Sequence, residues 1–157
     1  MPKKIVLKLS KMNTQRKRKT SGKTVRKSIR CKYPGKTYIV SQLLEMINVI
    51  KLYHWKTHSY ADHTATDDLY EKLSANVDKF VEVYLGKQGS RIKKWDSEMS
   101  IVQYHRKKDF RSKMFEYREF LTDMNNCFDS TKDSDLLSIR DDILADINQF
   151  LYLFTMY

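Results

Sequence analysis

Residues 134–154 read SDLLSIRDDILADINQFLYLF, and Leu136, Leu137, Ile139, Ile143, Leu144, Ile147, Phe150, Leu151 and Phe154 recur at the spacing of one helix face. Ser134 or Asp133 stands ready as the N-cap. A helix with one apolar stripe needs partners to cover it, so the rest of the chain must supply them.

Working backwards, Asp129-Ser130-Thr131-Lys132 is loop chemistry, and Ile101–Cys127 reads as a third helix through Val102, Phe110, Met114, Phe115, Tyr117, Phe120, Leu121 and Met124. Residues 86–100 form a longer connection. Before it, Leu69, Tyr70, Leu73, Val77, Phe80, Val81 and Tyr84 make the stripe of a helix capped by Ser59 or Asp62 and stopped at Gly86. From Thr37 to Lys56, Val40, Leu43, Leu44, Ile47, Ile50 and His54 share a face, with Glu45, Asn48 and Lys51 off it. Four such helices close into an all-α antiparallel four-helix bundle, the first two as a hairpin because their loop is short.

Composition agrees. Apolar residues are 41% of the chain and Gly and Pro number 4 and 2, too few for the many turns of a β-sandwich. At 157 residues there is room for one domain and a tail. Cys31 and Cys127 lie far apart without metal-ligand or redox spacing, so neither a disulfide framework nor a zinc module is expected, and a reducing compartment is the default. No apolar run reaches the roughly 18 residues that span a bilayer. The piece Ile5-Val6-Leu7 is too short for a signal peptide. The expected location is intracellular, or inside a particle assembled in a cell.

The net charge of +11 is uneven: residues 1–37 hold 14 Lys or Arg and no acid, leaving 16 basic and 19 acidic residues in 38–157. This divides the chain into a basic N-terminal arm, 1–37, and the bundle, 38–157. A block of cations attracts polyanions by releasing their counterions, and Arg16, Lys17, Arg18, Lys19, Lys23, Arg26, Lys27 and Arg30 are the candidate contacts to nucleic acid. A solvated tail, or an anchor on an acidic protein surface, would use the same composition. The alternation Lys4-Ile5-Val6-Leu7-Lys8-Leu9 could also add a strand to a neighbour's sheet edge.

Helix two carries His63, Asp67, Asp78 and Glu82 at about 0°, 40°, 60° and 100° around its axis, bordering its apolar stripe. His54, in line with Ile47 and Ile50, aims at the core or an interface. Imidazoles and carboxylates facing each other between helices are how bundles hold iron or manganese. Taken singly, His54 reads as a core histidine and Asp78 and Glu82 as solvated acids; His58 reads as a loop residue. There is no Gly-rich phosphate loop, no nucleophile elbow and no Cys-His pair at useful spacing, so nucleotide-binding and hydrolase readings fall away. Nor does a helix-turn-helix spacing stand out.

The stretch Tyr53-His54-Trp55-Lys56-Thr57-His58-Ser59-Tyr60-Ala61-Asp62-His63, continued through Asp67, Leu69-Tyr70, Asp78 and Glu82, resembles the signature of Dps-like proteins of the ferritin superfamily. It is more similar still to Dps-related proteins of unknown role in tailed phages and large DNA viruses. The resemblance covers residues 41–87 well and 134–156 loosely. It implies a ferritin-like bundle that assembles as a homo-oligomer. It further implies a shared site in which His54, His63 and Asp67 of one subunit meet Asp78 and Glu82 of another. Iron oxidation there, DNA binding through a basic extension and a viral setting are further implications. His54 and His63 are nine residues apart, a tighter hairpin than is typical of Dps-like sequences. The alternative on the same fold is a non-enzymatic virion component, such as a minor capsid or internal protein, that packs through the bundle and is anchored by the arm.

Overall fold

Ser59 sets the geometry of the first hairpin. It lies in an extended conformation, and its Oγ accepts a hydrogen bond from the Asp62 backbone N–H at 3.2 Å. One helix, α1 (Gly35–Lys56), thus ends and the next, α2 (Tyr60–Gln88), begins within three residues. The computed structural model describes residues 31–33, 35–95, 98–99 and 101–156. Two further helices, α3 (Lys107–Asp123) and α4 (Ser134–Leu153), follow, with a 3-10 turn at Met124–Asn126. No strand occurs among the described residues.

The side chains fix how the helices run. Asn76 reaches Asp146, and Lys87 reaches Asp135 at the start of α4, so α2 and α4 are antiparallel. Phe110 packs on Phe150 and Phe154 while Arg140 bonds Leu121 O, so α3 and α4 are antiparallel too. Tyr53 stacks on Phe110, with 3.9 Å between ring centroids, and Tyr117 OH donates to Glu45, which sets α3 antiparallel to α1. Around the bundle the order is therefore α1, α2, α4, α3, and α2 and α3 run in the same direction on a diagonal. Joining them demands a connection as long as the bundle. It starts with Ser90 against Lys36, passes Ile101 near Lys51 and Tyr70, and arrives with His105 beside Lys56. The interior is filled by Leu43, Met46, Ile50, Leu73, Phe80, Phe110, Met114, Leu121, Ile143 and Ile147, each essentially inaccessible to water.

Several boundaries and one pairing differ from the sequence expectations. The first helix begins at Gly35, so it takes in residues assigned to the arm. The second runs through Gly86, because one glycine costs only about 1 kcal/mol in a helix. It stops where Gly89 adopts φ 58° and its N–H returns to Gly86 O. The third begins at Lys107, not Ile101. Phe110 already meets the last turns of α1 and α4, so six more helical residues would project past the bundle; Ile101 and Val102 are instead exposed in the connection. It ends at Asp123 and passes through the 3-10 turn to Cys127.

Glu45 is buried, contrary to its expected place off the apolar face. Its carboxylate accepts from Tyr117 OH at 3.1 Å and lies 3.2 Å from Lys113 Nζ. Burial and the Glu45 charge raise the Tyr117 hydroxyl well above its ordinary pKa. Finally, Cys31 and Cys127 form a disulfide across 96 residues of sequence, which corrects the expectation of unbridged cysteines. Both side chains are half-buried, and the bridge pins the segment before α1 to the corner after α3. Tyr33 supports it, donating to Asp123 at 3.3 Å and stacking on Tyr38, and Lys32 ion-pairs with Asp123. No described helix is long and apolar enough to cross a membrane.

Candidate functional site

The α1–α2 hairpin brings His54 and His63 ring to ring, with 3.9 Å between centroids and 25° between planes. His54 Nδ1 lies 3.0 Å from His63 O, and His63 Nδ1 lies 3.1 Å from His54 O. A carbonyl oxygen only accepts, so each Nδ1 is a donor and carries a proton. The tautomer of both rings is thereby set, and the Nε2 atoms are the ones directed away from the backbone. This is the arrangement found where imidazoles serve as metal ligands, since a second bond to a carbonyl orients the ring. Thr66 Oγ1 adds a contact 3.4 Å from His54 Nδ1.

Asp67, one turn beyond His63, puts Oδ1 3.6 Å from His54 Nε2. The same oxygen is 3.2 Å from Lys51 Nζ, which also sits 4.3 Å from the Tyr70 ring centroid. His54 is buried, His63 is exposed and Asp67 is half-exposed, so the group opens outward from the hairpin. Beneath it a second network ties the hairpin to α3. Asp62 is buried and accepts from Lys107 at 2.8 Å and from Tyr53 OH at 3.3 Å. Burial and the neighbouring Asp62 push the Tyr53 hydroxyl up to about 12.

Three of the five expected ligands are therefore neighbours: His54, His63 and Asp67. The other two, Asp78 and Glu82, are exposed further along α2. At about 1.5 Å per residue, the eleven residues from Asp67 to Asp78 span roughly 16 Å, so one chain does not gather all five. Among the described residues no group of three or more His, Cys, Asp or Glu is placed to hold a metal ion. His58 is exposed in the short loop. Lys51 and Thr66 were not expected here. Lys51 lies three residues before His54 and hence on its side of α1, which was the available signal.

Beside Lys51 lies a groove of about 320 Å³ lined by Asn48, Lys51, Leu52, Trp55, Tyr70 and Ile101, with Trp55 69% exposed. The arm cations Arg16, Lys17, Arg18, Lys19, Lys23, Arg26, Lys27 and Arg30, and the possible strand at 4–9, lie outside the described residues.

The chain belongs to a family of unknown function, DUF5856, whose profile matches residues 54–154. The matched span opens at His54 and includes all five expected ligands, but not the basic arm. No curated protein and no solved structure matches the chain at a significant level.

Proposed function

We propose that the protein is a ferritin-like, Dps-like metal-binding protein that works as a homo-oligomer, takes iron at a site shared between two copies, and holds nucleic acid with its basic arm. The carrying observation is the His54–His63 pair, whose Nδ1 protons are committed to backbone carbonyls beside Asp67. The topology supports the fold, because two antiparallel hairpins joined by one long diagonal connection are the ferritin-like arrangement.

A two-fold axis crossing α2 between Asp67 and Asp78 would set His54, His63 and Asp67 of one copy opposite Asp78 and Glu82 of the next. A C2 interface is self-complementary, and this flank of the α1–α2 hairpin suits one, with Lys51 and the imidazoles toward one end and Asp78 and Glu82 toward the other. The Trp55 groove would be covered by the same pairing. Two imidazoles and up to three carboxylates suit Fe(II), which bound there would undergo one-electron oxidation by dioxygen. The chain's own residues would hold it, and Lys51 would release Asp67.

A second reading rests on one observation. Lys51 pairs with Asp67 at 3.2 Å, as it would if the bundle were a packing module in a larger assembly such as a virion. Iron(II) added anaerobically and then exposed to air separates the two. The metal-binding reading expects a rapid ferric absorbance that His63→Ala with Asp78→Ala abolishes. A trace indistinguishable from buffer favours the packing module.

A further inference from the structure

We propose that the nucleic-acid surface does not end with the arm but continues onto the bundle through Arg91, Lys93 and Lys94, which contact the phosphodiester backbone. The inference deepens the arm reading and rests on it.

The local structure presents these three cations outward. Gly89 turns the chain off the end of α2 with φ 58°, and Lys36 Nζ holds Ser90 Oγ at 2.6 Å, fixing the start of the connection to the first turn of α1. Ile92 is half-buried against the core and anchors the segment, while Arg91, Lys93 and Lys94 around it are exposed. Among the described residues none of the three is ion-paired, although Glu82 lines the same groove as Arg91. Two other cations at this end are neutralised: Lys32 pairs with Asp123, and Lys87 with Asp133 and Asp135. Residues 90–95 thus carry three open positive charges and no acid and end at Trp95, 42% exposed; Asp96 and Glu98 come next in the sequence.

Position completes the argument. The disulfide fixes Cys31, where the arm joins the bundle, at the end where Lys36 meets Ser90. Residues 1–30, which precede Cys31, carry 12 more cations and no acid. A polyanion bound by the arm would therefore meet the bundle at the end that carries Arg91. A basic patch also suits an anionic lipid surface, and the same connection exposes Trp95, Met99, Ile101 and Val102, so lipid vesicles are run as the competing surface.

The full-length protein is titrated with a short mixed-sequence duplex over a range of salt. Alongside it run Arg91→Ser/Lys93→Ser/Lys94→Ser and, as the arm control, Arg16→Ser/Lys17→Ser/Arg18→Ser/Lys19→Ser. Each phosphate contact contributes about 0.9 to the slope of log affinity against log salt, so the triple variant should flatten it by about 2 to 3. If the arm variant flattens the slope and the triple variant matches wild type, the inference fails and the arm reading stands. If the wild type does not bind duplex, or binds only vesicles containing phosphatidylserine, both fail. Thermal melts overlaying wild type establish that the variants are folded.

Discussion

His54 and His63 each donate an Nδ1 proton to the other's backbone carbonyl, so two helices of one hairpin are locked by reciprocal bonds between residues nine apart in sequence. The same bonds that stiffen the turn orient the rings for chemistry at Nε2. Structural and ligand roles are thus superimposed at one place, and they separate only under substitution.

Replacing His54 by Ala removes a buried ring and its bond to His63 O, leaving that carbonyl to Thr66 Oγ1 alone among side chains. The expected cost is about 2–4 kcal/mol in urea unfolding, against about 1 kcal/mol for the exposed His63. Equal, small losses would mean that the stack does not hold the hairpin.

The Cys31–Cys127 bridge closes a 96-residue loop, which constrains the unfolded chain. Reduction by a dithiol, or Cys31→Ser, should lower the unfolding free energy by about 2–5 kcal/mol. Coincident urea curves with and without reductant would contradict the bridge.

Alkaline pH should destabilise the fold with a readable sign. The Tyr53 hydroxyl is raised to about 12 and that of Tyr117 is raised further, both chiefly by burial. Their folded-state values exceed the unfolded ones, so their contribution is whole below about pH 10 and is lost as pH climbs above it. Tyr117→Phe should make the urea midpoint less sensitive to pH between about 10 and 12. An unchanged pH dependence would argue against a buried, neutral Tyr117.

Trp55→Glu places a charge in the middle of the exposed α1–α2 groove. Light scattering should find the wild type at least dimeric and the variant monomeric, with far-ultraviolet dichroism unchanged. An identical mass for both would remove this face as the pairing surface.

Much of the bundle was legible because α4 and α2 each have one apolar stripe. Helix α1 was half legible. Val40, Leu43, Ile50 and His54 mark one side, but the Ser41-Glu45-Val49-Tyr53 series is also buried, and a serine and a glutamate hide it from any hydrophobic pattern. The α3 start and the Gly89 cap depend on where neighbouring helices end, which local propensity does not encode. Cysteines 96 residues apart carry no spacing signal. At the site, helical angles sufficed to group His63 with Asp67, whereas Lys51 on the same carboxylate depends on how α1 and α2 pack against each other.

The account turns on a site divided between two copies, and subunit mixing tests it most directly. One variant lacks the imidazoles, His54→Ala/His63→Ala, and the other lacks the distal acids, Asp78→Ala/Glu82→Ala. Each alone should bind no Fe(II) in anaerobic calorimetry, while the co-refolded mixture should regain about a quarter of the wild-type sites, since half the random C2 pairs each rebuild one of two sites. A mixture that remains silent while wild type binds, or an acid-less variant that binds as wild type does, would contradict the shared site.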